Sequence, residues 1–489
     1  MKKLSIIVIA ILTTVFNASS QSLVNVKSKK FKTTSGIKIE GQVGFLEVPE
    51  NRNNPNSRKI KLKYVHLKSI SDNPATPVIY LEGGGGQITW EASNPKYLND
   101  RLEYLEVADL IFLDRRGSND RALTYIWKGE YPQDFFVSEE KANQHFQKVA
   151  GVALTSFEDK DVDVKGYTIE EHAIDVNDLM TLLGFNTYTF FGFSYGTHIG
   201  MTVMQLFPES VERAILVGAD APNQALNFPS HLDKHIKTIS EMVAKDSSIN
   251  QAIPDFESLV YETMKKLDAN PVTVTVKNPL TRKEMDLKIG GFGLGLILRL
   301  DIDDANDIPV IPRLLYSINN GDYSILTWFV QQRMTLAMGI PGQGINQQLA
   351  SGVSAARWSQ IEKEAEKSQF GNAVNFPFSA VKDHWINNEL SFDSTEPLKS
   401  DIPTLFITGT LDARTPVEQV EETMKGFTNA IHIEVENAGH EQAQWDGDVA
   451  NKIIPTFMQN GTVEIFEAYY SDIDFIKLTG EATGHPSIK

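Results

Sequence analysis

The chain contains no cysteine. That absence removes disulfides, thiolate nucleophiles and Cys-ligated metals together, and it leaves the redox compartment open. Positive charge is also short: 46 Lys and Arg stand against 63 Asp and Glu, a formal net charge of −17. A nucleic-acid partner needs a cationic footprint that this chain lacks. Long apolar runs are missing too. The longest, Leu4–Phe16, is too short for a bilayer core that takes about 20 apolar residues. No internal repeat or low-complexity tract suggests a solenoid or a disordered chain. What is present is ordinary globular material, 41% apolar and 22% charged over 489 residues. That length suits about three average domains, or one large domain with an insertion.

Lys2 and Lys3 precede the apolar run, and the small residues Ala18, Ser19 and Ser20 follow it. Positive start, short apolar middle and small-residue exit describe a signal peptide over residues 1–20, cut before Gln21. The expected mature protein is exported, periplasmic or extracellular, with no membrane association; the alternative is an uncleaved N-terminal anchor.

Short strand-like runs then recur near Gln42–Val48, Lys59–Lys68, Pro77–Leu81, Asp109–Leu113, Thr187–Phe193, Arg213–Val217, Pro403–Thr408 and Ile431–Val435. The middle runs VIYL, LIFL, YTFFGF and AILV lack polar alternation, as strands covered on both faces do. Helical patterns lie between them, as at Ile169–Leu183. The alternation predicts an α/β fold: a mostly parallel central sheet with helices on both faces. An Asn/Pro/Ser turn between the first two runs predicts an antiparallel start. From Asp220 to Asp401 the rhythm gives way to helical spacing, with an acidic cluster at Asp301, Asp303, Asp304 and Asp307 and a flexible-looking stretch at Met338–Gly344. The predicted organisation is a core over 21–222, an inserted helical cap over 223–400 and the rest of the core over 401–489.

Three separated pieces point to acyl transfer. Gly192-Phe193-Ser194-Tyr195-Gly196 sits between a strand and a helix, where a nucleophile elbow requires small residues on both sides of a strained Ser. Asp412 follows a buried-type strand in LDARTP, and His440 lies 28 residues later in NAGH. The order Ser, acid, His is that of α/β-hydrolases. A Ser hydroxyl is a poor nucleophile, so an imidazole must take its proton and a carboxylate must fix the imidazole's tautomer. His198 and His172 are the rival bases, and Asp220 is the rival acid. An oxyanion hole needs two N–H donors. Tyr195 at the helix start offers one, and Gly84 in the loop Glu82-Gly83-Gly84-Gly85-Gly86 is the first choice for the other. No cofactor or metal site is read from the sequence.

The segment GFSYGTHIGMTVMQLFPESVERAIL, the loop EGGGG, FLDRRGSNDR, GTLDARTP and NAGH together resemble the proline iminopeptidase and tripeptidyl aminopeptidase group of α/β-hydrolases. The resemblance runs from Gly41 to Gly461. It implies a helical cap over a Ser-His-Asp site that hydrolyses amide bonds at free peptide N-termini. It matches Ser194, Asp412 and His440 to the family's triad and Gly84 to its oxyanion glycine. Two departures stand out. Family members carry HGGPG or NGGPG where this chain has Glu82 and Gly85, and many secreted relatives have cysteines near positions held here by Val353–Arg357 and Val381–Trp385. Without them the cap must be held by packing.

Asp114, Arg115 and Arg116 are expected to brace a loop beside the site, with a catalytic role as the alternative. Glu82 and the Asp301–Asp307 cluster are candidates to meet a substrate amine, although a solvated acidic face is the plainer reading of the cluster. A peptide substrate is expected. The alternatives are a small ester hydrolysed by the same triad, or a non-catalytic binding protein on the same fold.

Overall fold

The computed structural model describes residues 21–488 apart from Gly85, Asn119 and residues 445–446, 465–466 and 481–483. The expected export segment, residues 1–20, lies outside the described residues, as does Gly85 of the glycine loop.

In chain order the strands are β1 Ser22–Lys32, β2 Lys38–Pro49, β3 Lys59–Leu67, β4 Val78–Leu81, β5 Leu110–Leu113, β6 Thr124–Ile126, β7 Tyr188–Phe193, β8 Val211–Val217, β9 Val272–Lys277, β10 Glu284–Ile289, β11 Gly339–Pro341, β12 Thr404–Gly409, β13 Ala430–Glu436 and β14 Ala468–Tyr469. Ten of them form one sheet in the order β1-β2-β3-β5-β4-β7-β8-β12-β13-β14. β1, β2 and β3 are antiparallel, β3 meets β5 antiparallel, and every pairing from β5 to β14 is parallel. The central strands are buried along their full length. Period-two geometry divides their side chains between two apolar layers. Val78, Tyr80, Phe191, Phe193, Leu405 and Ile407 enter one layer; Ile79, Leu81, Tyr188, Phe190 and Phe406 enter the other. Helices cover both faces. One of them, Ile169–Leu182, starts at Thr168, whose hydroxyl accepts from the Glu171 N–H.

Between β8 and β12 the chain builds the helical insertion, broken by the hairpin of β9 and β10. The stretch Met338–Gly344, read from sequence as flexible, carries regular structure. Its β11 pairs with β6, and the helix Gly342–Ser351 follows directly.

Apolar packing crosses the expected boundaries of 21–222, 223–400 and 401–489. One apolar cluster joins the insertion's Leu294, Ile297, Leu314, Phe329 and Val330 to Phe135, Phe136, Phe146 and Phe157, which precede β7. Ile473, Phe475, Ile476, Leu478 and Ile488 of the C-terminal stretch pack on it as well. Fully burying each such Phe is worth about 2–3 kcal/mol. The cap is thus an apolar body assembled from three stretches of chain, which is how it holds together without a disulfide.

Candidate active site

Ser194 ends β7 and starts the helix Tyr195–Leu206, with φ +50° and ψ −124°. A non-glycine residue held there stores about 1–3 kcal/mol of strain. Its neighbours explain why the turn tolerates nothing larger. A Cβ on Gly192 would lie 2.7 Å from the Gly196 carbonyl carbon, and one on Gly196 would collide with the Leu81 carbonyl oxygen. The Ser194 N–H donates to Val217 O at 2.8 Å, tying the elbow to β8.

The structure brings the three sequence-predicted residues together. Ser194 Oγ lies 2.8 Å from His440 Nε2, and His440 Nδ1 lies 2.7 Å from Asp412 Oδ2. His440 is 3% exposed and Asp412 equally buried. Burial alone would raise the Asp412 pKa, but the facing imidazole and the hydrogen bonds from Thr415 hold it below the usual carboxylate range. Thr415 was missed from sequence. Its hydroxyl donates to Asp412 Oδ2 at 2.7 Å and lies 3.2 Å from His440 Nδ1, while its N–H and that of Arg414 donate to Asp412 Oδ1. The signal was available: an Asp followed three residues on by Thr can fold back on its own backbone.

The rivals lie elsewhere. Asp220 Oδ2 faces His198 Nδ1 at 3.4 Å, and His198 Nε2 lies 2.7 Å from Ser351 Oγ at the end of a cap helix. His172 is buried against Gln347, 3.1 Å away, and burial beside Arg116 and Arg115 pushes its pKa well down. Neither imidazole reaches Ser194.

Of the oxyanion candidates, Tyr195 supplies an N–H at the start of its helix and Gly84 one from the loop after β4. Among the described residues neither N–H has an acceptor. Gly83 packs tightest on the nucleophile, since a Cβ there would sit 2.7 Å from Ser194 Cβ, but its N–H donates to Glu82 Oε1 at 3.0 Å.

The acidic cluster is not the solvated face expected from sequence. Asp301 and Asp303 are 3% and 1% exposed; Asp301 pairs with Arg333, and Asp303 with Arg414. Asp307 meets His485 at 3.1 Å. Arg333 and Arg414 are distant in sequence, so nothing local signals the pairing. The same segment braces the imidazole: the His440 N–H donates to Asp303 O at 2.9 Å, and Gln442 Nε2 donates to Asp304 Oδ1 at 2.9 Å. Glu82 is also engaged. It accepts from Tyr80 Oη at 3.1 Å as well as from Gly83, and burial raises its pKa.

Asp114 accepts from the Ile88 and Thr89 N–H groups and the Thr89 hydroxyl. Arg116 is fully buried; its Nε donates to Asp175 Oδ2 at 2.7 Å and its Nη1 to Glu50 O at 2.7 Å. These two are braces. Arg115 points at the glycine loop.

An elbow serine after a central parallel strand, with an imidazole and a carboxylate delivered by the loops of later strands, defines a serine hydrolase of the α/β-hydrolase fold. A family model for that fold matches residues 76–247, and one for TAP-like proteins matches residues 383–468. The chain is an α/β-hydrolase by fold, and its stretch 383–468 is similar to TAP-like proteins. It is 27% identical over 203 residues to the serine protease Hip1 of Mycobacterium tuberculosis, and the same holds for Hip1 of Mycobacterium bovis. That match spans 38% of this chain and 38% of the relative's length. Among solved structures, a proline iminopeptidase-related protein from Thermus thermophilus is 13% identical, with 86% of this chain and 96% of that chain covered and a TM-score of 0.36. Bromoperoxidase from Bacillus anthracis is 14% identical, with 85% and 100% covered and a TM-score of 0.38.

Proposed function

We propose that this serine hydrolase is an exported aminopeptidase that cleaves amide bonds at free peptide N-termini through an acyl-enzyme. The observation that carries the chemistry is the unbroken hydrogen-bonded line from Ser194 through His440 to Asp412. In this reading Ser194 Oγ attacks the scissile carbonyl while His440 Nε2 takes its proton. Asp412 holds the proton on His440 Nδ1 and stabilises the imidazolium. The tetrahedral oxyanion is met by the N–H groups of Gly84 and Tyr195, at the positive end of a helix. His440 then protonates the leaving amine, and water attacks the acyl-Ser194 with the same imidazole as base.

The aminopeptidase preference is supported by the TAP-like match. Of the carboxylates expected to meet the substrate amine, Asp301, Asp303 and Asp307 are paired with Arg333, Arg414 and His485, whereas Glu82 and Asp304 hold only neutral donors and keep acceptor capacity for a cation. Export is supported by the composition of residues 1–20.

A library of peptides with free and acetylated N-termini tests the reading. Selective cleavage of the free set is expected, and equal cleavage of both would refute an exopeptidase. Activity confined to short acyl esters would make the protein an esterase. N-terminal sequencing of the exported protein should begin at Gln21.

A further inference from the structure

A loop containing four consecutive glycines has little reason to hold one shape. Each glycine forfeits more backbone entropy on ordering than any other residue. An oxyanion hole nevertheless requires its donors fixed to within about half an ångström. Something outside the loop must fix them here, where Glu82 and Gly85 replace the residues usual in the group.

Arg115 is placed to do so. It is 5% exposed, and its guanidinium has no carboxylate within ion-pairing distance among the described residues. Its Nη2 donates to Gly84 O and lies 3.4 Å from Gly83 O, so one nitrogen meets the two carbonyls that flank the Gly84 α-carbon. Its guanidinium carbon lies 4.8 Å from the centre of the Tyr195 ring, on the residue expected to supply the other oxyanion donor. Its own N–H donates to Gly86 O at 3.0 Å. Gly86 is obligatory for this arrangement. It has φ +68°, and a Cβ there would collide with Arg115 Nε. Nε itself is buried with no acceptor among the described residues.

We propose that Arg115 is a positioning residue for the oxyanion hole, a cation with no ion-pair contact among the described residues that clamps and polarises the peptide groups around Gly84. The Gly83 carbonyl and the Gly84 N–H belong to one trans peptide unit and point in opposite directions. A cation at the oxygen end fixes the unit's orientation and strengthens the N–H at the other end as a donor. Water cannot screen the charge well at that depth. Burial pulls the Arg115 pKa down to about 10, so the group is still charged at neutral pH. The Glu82 carboxylate completes the arrangement by occupying the Gly83 N–H, which leaves the Gly84 N–H to face the substrate.

The inference rests on the serine hydrolase reading of Ser194, and the test separates the two. Wild type, Arg115→Met and Arg115→Lys are compared for kcat and KM on an acyl p-nitrophenyl ester or alanyl p-nitroanilide. Affinity for phenylboronic acid, which forms a tetrahedral adduct with an active serine, is measured alongside. For Arg115→Met the expected result is a fall in kcat of about 10- to 100-fold, less than the ~10²–10³ for deleting a donor outright. KM should stay within about twofold, and boronate affinity should fall by the same factor as kcat. Arg115→Lys should recover part of both losses. Unchanged kcat and boronate affinity in a folded Arg115→Met overturn the proposal, as does a loss that appears in KM alone. If Arg115→Met does not fold, the same comparison is read on Arg115→Lys and on Gly86→Ala, which pushes the side chain off the loop; wild-type kcat in both overturns it. A wild type that neither turns over substrate nor reacts at Ser194 with a fluorophosphonate removes the hydrolase reading itself.

Discussion

Replacing Asp412 by Asn changes one atom and tests the whole proton path. In the wild-type site Oδ1 accepts from the N–H groups of Arg414 and Thr415 at 2.9 and 2.8 Å, and Oδ2 accepts from the Thr415 hydroxyl and faces His440 Nδ1, each at 2.7 Å. An amide in this place has only one oxygen. The two backbone N–H groups cannot turn away, so they select the orientation that keeps the oxygen at the Oδ1 position. The NH2 then lies where Oδ2 was, against His440 Nδ1. Nδ1 must become the acceptor, and the ring proton moves to Nε2, facing Ser194 Oγ. A base already protonated on that nitrogen cannot take the serine's proton. The expected loss in kcat is about 10⁴-fold, or ~5.5 kcal/mol of transition-state stabilisation, with the fold intact. Loss of the charge-assisted bonds adds a stability cost of about 1.5–3 kcal/mol. Steady-state rates on an amide substrate, with circular dichroism as the control for folding, decide the matter. A folded Asp412→Asn variant within tenfold of wild-type kcat would refute both the tautomer argument and the role given to Asp412.

Gly196→Ala should lower kcat by at least ~10²-fold and reduce the melting temperature, because its Cβ would collide with the Leu81 carbonyl and displace the elbow by an amount that catalysis does not tolerate; activity above half of wild type would contradict the packing. Ser351→Ala leaves His198 Nε2 buried without its partner, and calorimetry should show a loss of about 1–3 kcal/mol while fluorophosphonate labelling of Ser194 persists. Asp301 carries a pH-dependent liability. Burial, only partly offset by Arg333, raises its pKa to about 6. Between its unfolded value near 4 and that value the folded chain holds the extra proton, so stability falls as pH rises through the window, by up to about 3 kcal/mol. Melting curves from pH 4 to 7 should show that slope in wild type and lose it in Asp301→Asn.

The elbow, the sheet and the order of the three candidate residues were legible because their signals are local. Two glycines around a serine, apolar strands without alternation, and an Asp or His just past a strand end can each be read within a short window. β1 was not legible. Its Lys-rich sequence SLVNVKSKKFK looks like a loop, and it lies at the sheet edge, where lysines discourage pairing with other chains. The make-up of the cap was hidden for a different reason. Phe135, Phe136 and Phe157 read as ordinary apolar residues of the first half of the chain, and only tertiary contact shows that they join Phe329 and Leu314. The burial of Asp301 and Asp303 was equally invisible, since it depends on Arg333 and Arg414 arriving from other elements.

The bond from the His440 amide to the Asp303 carbonyl ties the roof of the molecule to its general base. Any motion that raised residues 299–305 as a rigid flap would pull on the imidazole and part it from Ser194. The imidazole's place is therefore set partly by the insertion, so a change far from the sheet can reach it through a single backbone bond.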